Sequence, residues 1–190
     1  MKGWAVWLTG LPGSGKTARA KELLKKLKQN NIITEHLEMD EIREILTPER
    51  KYTDEERDHA YRAIVLVSKF LTDYGVNVII DATGHKRVWR NLAREYIPKF
   101  IEVYVKSPLN ISMDRESKRK DNLKLSDLYK KALKRKKNGV QIDGLGDMIG
   151  VDVEYEEPEK PDLVIESEKL NPKQSSEKIF HLLKVKYIKK

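Results

Sequence analysis

The chain has 190 residues, 36% of them charged, a net charge of +8 and no cysteine. That length suits one domain spanning residues 1–190 with a sizeable core, and the missing thiols exclude a disulfide framework, a thiolate metal centre and a cysteine nucleophile. The positive charge fits three partners (a nucleic acid, an anionic small substrate, or water over a Lys-rich surface), and high Lys and Glu without cysteine resembles thermophile composition.

In chain order, Val6 to Thr9 sits in an apolar run of strand formers. Gly10 to Thr17 is Gly-rich, and Ala18 to Gln29 carries Ala20, Leu23, Leu24 and Leu27 at helical spacing. Asn30-Asn31 breaks that helix, and Ile32 to Met39 reads as a second strand delivering Asp40 to its C-terminal end. After Pro48, Thr53 with Glu56 three residues on is a capping-box signature. Ala60, Ile64, Val67, Phe70 and Leu71 then mark the buried stripe of a long helix ending near Gly75.

Val76 to Ile80 is a near-continuous apolar run, expected of a parallel strand covered on both faces. Arg87 to Tyr96 reads as a helix stopped by Pro98, Phe100 to Val105 as a strand, Asn110 to Asn138 as basic helix, and Gly139 to Gly150 as loop. Leu163 to Ile165 is a last strand, Ser175 to Val185 a closing helix, and Lys184 to Lys190 a solvated tail. Strands alternating with helices of this length give an open parallel α/β sheet with helices on both faces. No run approaches the roughly 20 apolar residues of a membrane helix, and the N-terminus lacks a cationic, cleavable leader. The expectation is a cytoplasmic protein with no membrane partner.

Gly10-Leu11-Pro12-Gly13-Ser14-Gly15-Lys16-Thr17 fits G-x-x-x-x-G-K-[ST] between a predicted strand and a predicted helix, the context the mechanism requires. Glycines let backbone N–H groups converge on phosphate oxygens, Lys16 supplies charge for the β/γ-phosphates, and Thr17 offers a hydroxyl to Mg²⁺. The chain is too short for the extra lobes of most motors and has no N-K-x-D base-reading motif of GTPases, which favours phosphoryl donation to a small acceptor, with ATP and Mg²⁺ as the expected cofactors. Asp40 and Arg43 lie one turn apart beyond the second strand, where open α/β sheets form their binding crevice. Asp40 is placed to take a hydroxyl proton or to hold the metal, and Arg43 to grip an anionic acceptor; a surface ion pair is the alternative. Asp81 ends the third strand, either as a metal-ordering carboxylate or as a cap for the following turn. His85 reads as a polar loop residue. Arg115 is the basic residue placed to face phosphate, at the start of a helical lid over residues 110–157; a merely solvated basic face is the alternative for this stretch.

The residues resemble the adenylylsulfate (APS) kinase family of P-loop nucleotide kinases in several blocks, in the same order. These are GLPGSGKT, Asp40 to Arg43, Tyr52-Thr53-Asp54-Glu55-Glu56-Arg57, Phe100 to Val105 with Ser107-Pro108-Leu109, Asp127 to Ala132, and Gly150-Val151-Asp152 with Tyr155-Glu156 and Pro158. The resemblance implies a dimeric kinase that phosphorylates the 3′-hydroxyl of adenylylsulfate. Asp40 would approach that hydroxyl, and Arg43 and Arg57 would hold the acceptor's anionic groups. Tyr52 would stack on adenine, and Thr83, Gly84, Lys130 and Met148 would complete the acceptor site.

The chain departs from the family mostly on the acceptor side. Glu38-Met39-Asp40-Glu41 stands for Asp-Gly-Asp-Asn, Ala60 for an Asn, Gly84-His85-Lys86 for Ser-Pro-Tyr, and Met148 for a stacking aromatic, with about eight residues inserted around Lys118 to Ser126. Other acceptors therefore stay open, namely another nucleotide, a small alcohol or a polynucleotide 5′-hydroxyl. A nucleic-acid-binding module gated by ATP is a further alternative, disfavoured by the lack of RNA-recognition aromatics in a signature order.

Overall fold

The structure is a computed structural model that describes residues 2–49, 51–118, 131–135 and 147–188. Five parallel strands, β1 (Ala5–Thr9), β2 (Thr34–Glu38), β3 (Asn77–Asp81), β4 (Phe100–Lys106) and β5 (Leu163–Glu166), form one sheet in the order β2-β3-β1-β4-β5. The helices are α1 (Lys16–Gln29), α2 (Met39–Leu46), α3 (Asp54–Asp73), α4 (Arg87–Tyr96), α5 (Leu109–Ser117) and α6 (Pro172–Lys186), and residues 131–135 are also helical.

The two-residue strand period divides the core into two layers. Val6 and Leu8 of β1, with Ile101, Val103 and Val105 of β4, face Leu23 and Leu27 of α1 and Ile179 and Leu183 of α6. Ala5 and Trp7 face the other way, onto Tyr61 and Ile64 of α3 and Trp89 and Ala93 of α4. β1 is buried at every position because it lies in the middle of the sheet with helices on both faces.

Several expectations need correction. Val67 and Phe70 are not on the buried stripe of α3 but exposed, at 37% and 53%. Ser68 and Thr72 are buried instead, their hydroxyls donating to the Ile64 and Ser68 carbonyls within the helix. Ala60 does lie on the buried stripe as expected, enclosed in the apolar layer beside Trp7 and Tyr61. His85 lies in a loop as expected, but it is fully buried there, edge-on to Tyr61 and Trp89. The basic tail is only partly solvated as far as residue 188: Lys184, Val185 and Lys186 are exposed, but the two residues after them are not. α6 runs to Lys186, and Tyr187 and Ile188 pack on the core, the Tyr187 hydroxyl donating to the Phe100 carbonyl. α6 also starts earlier than expected, at a reciprocal capping box of Asn171 and Gln174 with Pro172 at its first position. The insertion around Lys118 to Ser126 and most of the basic helical stretch lie outside the described residues.

Candidate active site

Gly10 to Gly15 turn the chain from the end of β1 into α1. Gly13 and Gly15 take left-handed backbone angles, φ 79° and 91°, and a Cβ at Gly13 would stand 2.1 Å from the Ser112 carbonyl oxygen. Only glycine meets both conditions there. The N-cap of α1 is Gly15, with no side-chain cap and no acidic residue in the first turn. The helix N-terminus therefore presents its first-turn N–H groups and positive dipole to an anion with no side chain capping them. The Lys16 ammonium, 9% exposed, bridges back across the loop to the Gly10 and Leu11 carbonyls at 3.0 Å each.

Two arginines, Arg19 buried and Arg115 half-buried, brace this loop from behind. Arg19 donates to Gly15, Ser175 and Leu170, and burial together with the neighbouring Arg115 lowers its pKa to about 10. Arg115 donates to the Ser167 hydroxyl and carbonyl and to the Ser14 carbonyl. It thus ties the phosphate loop to the end of β5 while lining the cavity. Arg19 went unnoticed in the sequence because its partners come from the far end of the chain.

A cavity of about 570 Å³ opens over the carboxyl ends of the strands. It is lined by Pro12, Gly13, Gly15, Lys16 and Thr17 on one side and by Asp40, Arg43, Tyr52, Arg57 and Met148 on the other, with Asp81, Thr83 and Arg115 between. Gly84 is not on this wall. Its N–H donates to the Tyr61 hydroxyl, its carbonyl accepts from Arg90, and a Cβ would press on Trp7, so it shapes the wall from behind. Lys130 lies outside the described residues.

Asp40 stands in the first turn of α2, directly after β2, and Arg43 follows one turn on. Arg43 pairs with Glu56 of α3 at 2.8 Å rather than serving as a surface ion, and its guanidinium lies 5.4 Å from the Tyr52 ring centroid. Glu56 also accepts from the backbone N–H groups of Lys51 and Tyr52, at 2.6 and 2.9 Å. Tyr52 holds φ 55°, a conformation a bulky residue rarely adopts. Thr53 does cap α3, accepting from the Glu56 N–H, but the Glu56 side chain passes beyond the cap to organise this wall. Arg57 is 3% exposed and donates to the Asp147 carbonyl, while its Nη1 is buried without a protein partner. That leaves a charged donor for an anion.

Asp81 does not cap a helix. The N-cap of α4 is Lys86, which makes no side-chain cap bond. Asp81 closes β3 at 6% exposure, and its Oδ2 has no hydrogen-bond partner. The turn that follows is stitched to β1, with Trp7 Nε1 donating to the Ala82 carbonyl and the Thr9 hydroxyl to the Thr83 carbonyl. Behind it Arg90, 1% exposed, pairs with Glu102 at 2.7 Å and donates to the Glu156 carbonyl, fixing α4 against β4.

The sequence profile of the adenylylsulphate kinase family matches residues 2–166. A probable adenylyl-sulfate kinase of Archaeoglobus fulgidus is 37% identical over 87% of this chain and 97% of its own length. One from Pyrococcus abyssi is 34% identical over 97% of both chains. Among solved structures, the APS kinase CysC of Mycobacterium tuberculosis in complex with AMPPNP and APS superposes with a TM-score of 0.79 at 26% identity, covering 96% of this chain and 98% of that one. With a family match over most of its length and relatives of this similarity, the chain belongs to the adenylylsulfate kinase family.

Proposed function

We propose that this chain transfers the γ-phosphate of ATP to the 3′-hydroxyl of adenylylsulfate, releasing ADP and 3′-phosphoadenylylsulfate. The observation that carries the reading is the continuity of one cavity from the phosphate loop to Asp40, Arg43, Tyr52 and Arg57. Donor phosphate and acceptor hydroxyl share that space, so transfer is a matter of positioning and charge stabilisation.

The loop amides and the α1 N-terminus bind the donor phosphates. Lys16 exchanges its two carbonyl partners for charge-assisted bonds to the phosphates as they arrive. The residues fit magnesium, because Asp81 Oδ2 is a buried oxygen without a hydrogen-bond partner, and Thr17 and Asp40 share its wall as hard oxygen donors. When bound, that ion neutralises charge on the phosphate oxygens. Asp40 takes the proton of the attacking hydroxyl. Arg43, held in direction by Glu56, and the unpartnered Nη1 of Arg57 bind the acceptor's anionic groups. Tyr52 stacks on its adenine, worth about 1–3 kcal/mol, opposite Met148, a softer apolar contact than a second ring. In this reading residues 1–190 form a single domain whose lid is residues 110–157, Lys130 included, and two copies assemble as a homodimer.

The test is 3′-phosphoadenylylsulfate formation from ATP and APS by purified protein across a temperature series. Product is expected, with Tyr52→Ala raising the KM for APS about tenfold, or roughly 1.4 kcal/mol. No product, together with ADP release on adding a sugar, another nucleotide or an oligonucleotide 5′ end, overturns the acceptor and leaves the kinase assignment.

A further inference from the structure

The C-terminal ends of β2 and β3 carry a second group of ligating side chains. The strand register sets Glu38 directly beside Asp81, and the two-residue period brings His36 to the same face of β2 as Glu38. His36 Nε2 lies 3.5 Å from Asp81 Oδ2, and His36 Nδ1 lies 3.5 Å from Glu38 Oε1. One ligand atom from each of the three falls within 4.8 Å of the others.

Two carboxylates directly opposite on neighbouring strands repel, so this pair calls for a cation. Lys21 reaches only Glu38, at 3.6 Å, and is 64% exposed. It therefore does little for Asp81. Both His36 Nε2 and Asp81 Oδ2 are buried without a hydrogen-bond partner, on side chains exposed by only 9% and 4%. Two buried polar atoms aimed at each other beyond hydrogen-bond reach leave room for an ion between them.

We propose that His36, Glu38 and Asp81 form a protein-held site for a divalent transition metal of the manganese-to-zinc series, distinct from the magnesium that travels with ATP. One imidazole nitrogen with two carboxylate oxygens suits that series, whereas magnesium prefers an all-oxygen shell and keeps its water. Ligand distances of about 2.0–2.2 Å place the donor atoms about 3–3.5 Å apart. Closing on an ion thus draws the widest pair in by about 1.5 Å, and Glu38, the most exposed of the three at 25%, is the side chain that moves. Glu38 and Asp81 both line the cavity beside Lys16 and Thr17. The remaining coordination positions open on that cavity and take water or an anionic oxygen of a substrate. The Asp81 carboxylate then lies between this ion and the nucleotide's magnesium, which Thr17 and Asp40 would hold with it.

The experiment uses chelator-stripped, nucleotide-free full-length protein titrated with MnCl₂ and, separately, MgCl₂. The expected result is one bound Mn²⁺ per chain, seen as loss of the free-ion EPR signal, with ligand-nitrogen modulation in pulsed EPR and little competition from millimolar Mg²⁺. His36→Gln, checked for fold by circular dichroism, should remove the nitrogen modulation and weaken Mn²⁺ at least tenfold. Asp81→Asn should weaken it comparably. No Mn²⁺ bound at 1 mM, binding without nitrogen modulation, or modulation that survives His36→Gln would each overturn the site. As no nucleotide is present, such a failure leaves the phosphoryl-transfer reading untouched.

Discussion

Replacing Glu56 by alanine removes three bonds at once, those to the Arg43 guanidinium and to the backbone N–H groups of Lys51 and Tyr52. The Arg43 and Glu56 side chains are only 6% and 11% exposed. Deleting one partner of a buried pair costs about 3–5 kcal/mol, because the remaining charge is left uncompensated. Arg43 borders a cavity that water enters, so the lower figure applies, about 3 kcal/mol. The left-handed backbone of Tyr52 costs of order 1–3 kcal/mol by itself, and each hydrogen bond to the carboxylate returns about 1.5–3 kcal/mol. Without Glu56 the tyrosine has little reason to stay where it is.

At about 2–4 °C per kcal/mol for a chain of this size, Glu56→Ala should lower the melting temperature by about 6–12 °C. The KM for the acceptor should rise at least tenfold while the KM for ATP stays near the original, since none of these bonds touches the phosphate loop. Glu56→Gln keeps the shape and one acceptor oxygen and should fall between. Adding Arg43→Met to Glu56→Ala removes the stranded charge, so the double variant should be no less stable than Glu56→Ala alone, a non-additivity of about 0.5–3 kcal/mol. Differential scanning calorimetry and initial-rate kinetics measure both. A melting temperature within 2 °C of the original, or an equal rise in both KM values, refutes the account of Glu56 as organiser of the acceptor wall.

Lys16→Ala should abolish transfer at saturating ATP and leave the circular dichroism spectrum unchanged; near-normal turnover would remove the ammonium from the mechanism. Asp40→Asn should cost about 10²–10⁴ in kcat with unaltered ATP binding, and a harmless substitution would make the carboxylate structural. His85 has its pKa lowered to about 3, mainly by burial and then by the charges of Arg57 and Lys86. Between that value and the unfolded imidazole near 6.5 the unfolded chain binds more protons. His85 thus contributes fully above pH 6.5, and stability falls with pH below it, by at most about 1.4 kcal/mol per unit. His85→Gln should flatten the stability profile from pH 6.5 to 4.5, and an unchanged slope would show that the imidazole is not held neutral.

The phosphate loop was legible because its information is local, since eight consecutive residues carry the glycine angles, the ammonium and the hydroxyl. The burial of α3 was not. That helix has two apolar stripes, and helical spacing cannot say which one meets the sheet. The stripe with Leu66, Val67 and Phe70 carries large apolar side chains, yet it faces out. The inward stripe includes Ser68 and Thr72, acceptable in a core because each hydroxyl bonds a carbonyl of its own helix. Glu56 was read only as a cap, because its larger role depends on α2 coming alongside the start of α3. The His36, Glu38 and Asp81 group was equally hidden, since only strand pairing sets residues 38 and 81 side by side.

The net charge of +8 allowed a nucleic-acid surface, an anionic substrate or plain solvation, and the placement of individual cations separates these where composition could not. Outside the cavity, many cations are engaged with neighbouring acids, as in Lys2 and Lys69 with Asp73, Arg94 and Lys186 with Asp162, and Lys26 with Glu177. Such exposed pairs contribute little to stability, but among the described residues they interrupt the continuous basic stripe that a polyanion would track. Lys16, Arg43 and Arg57 are each less than 10% exposed and converge on one cavity. Burying a cation is costly unless a counter-charge meets it, and for Arg57 Nη1 no protein group does so. At Arg57 that cost is borne on the wall of the cavity, which is the behaviour expected of a site whose missing partner is a small, multiply charged anion.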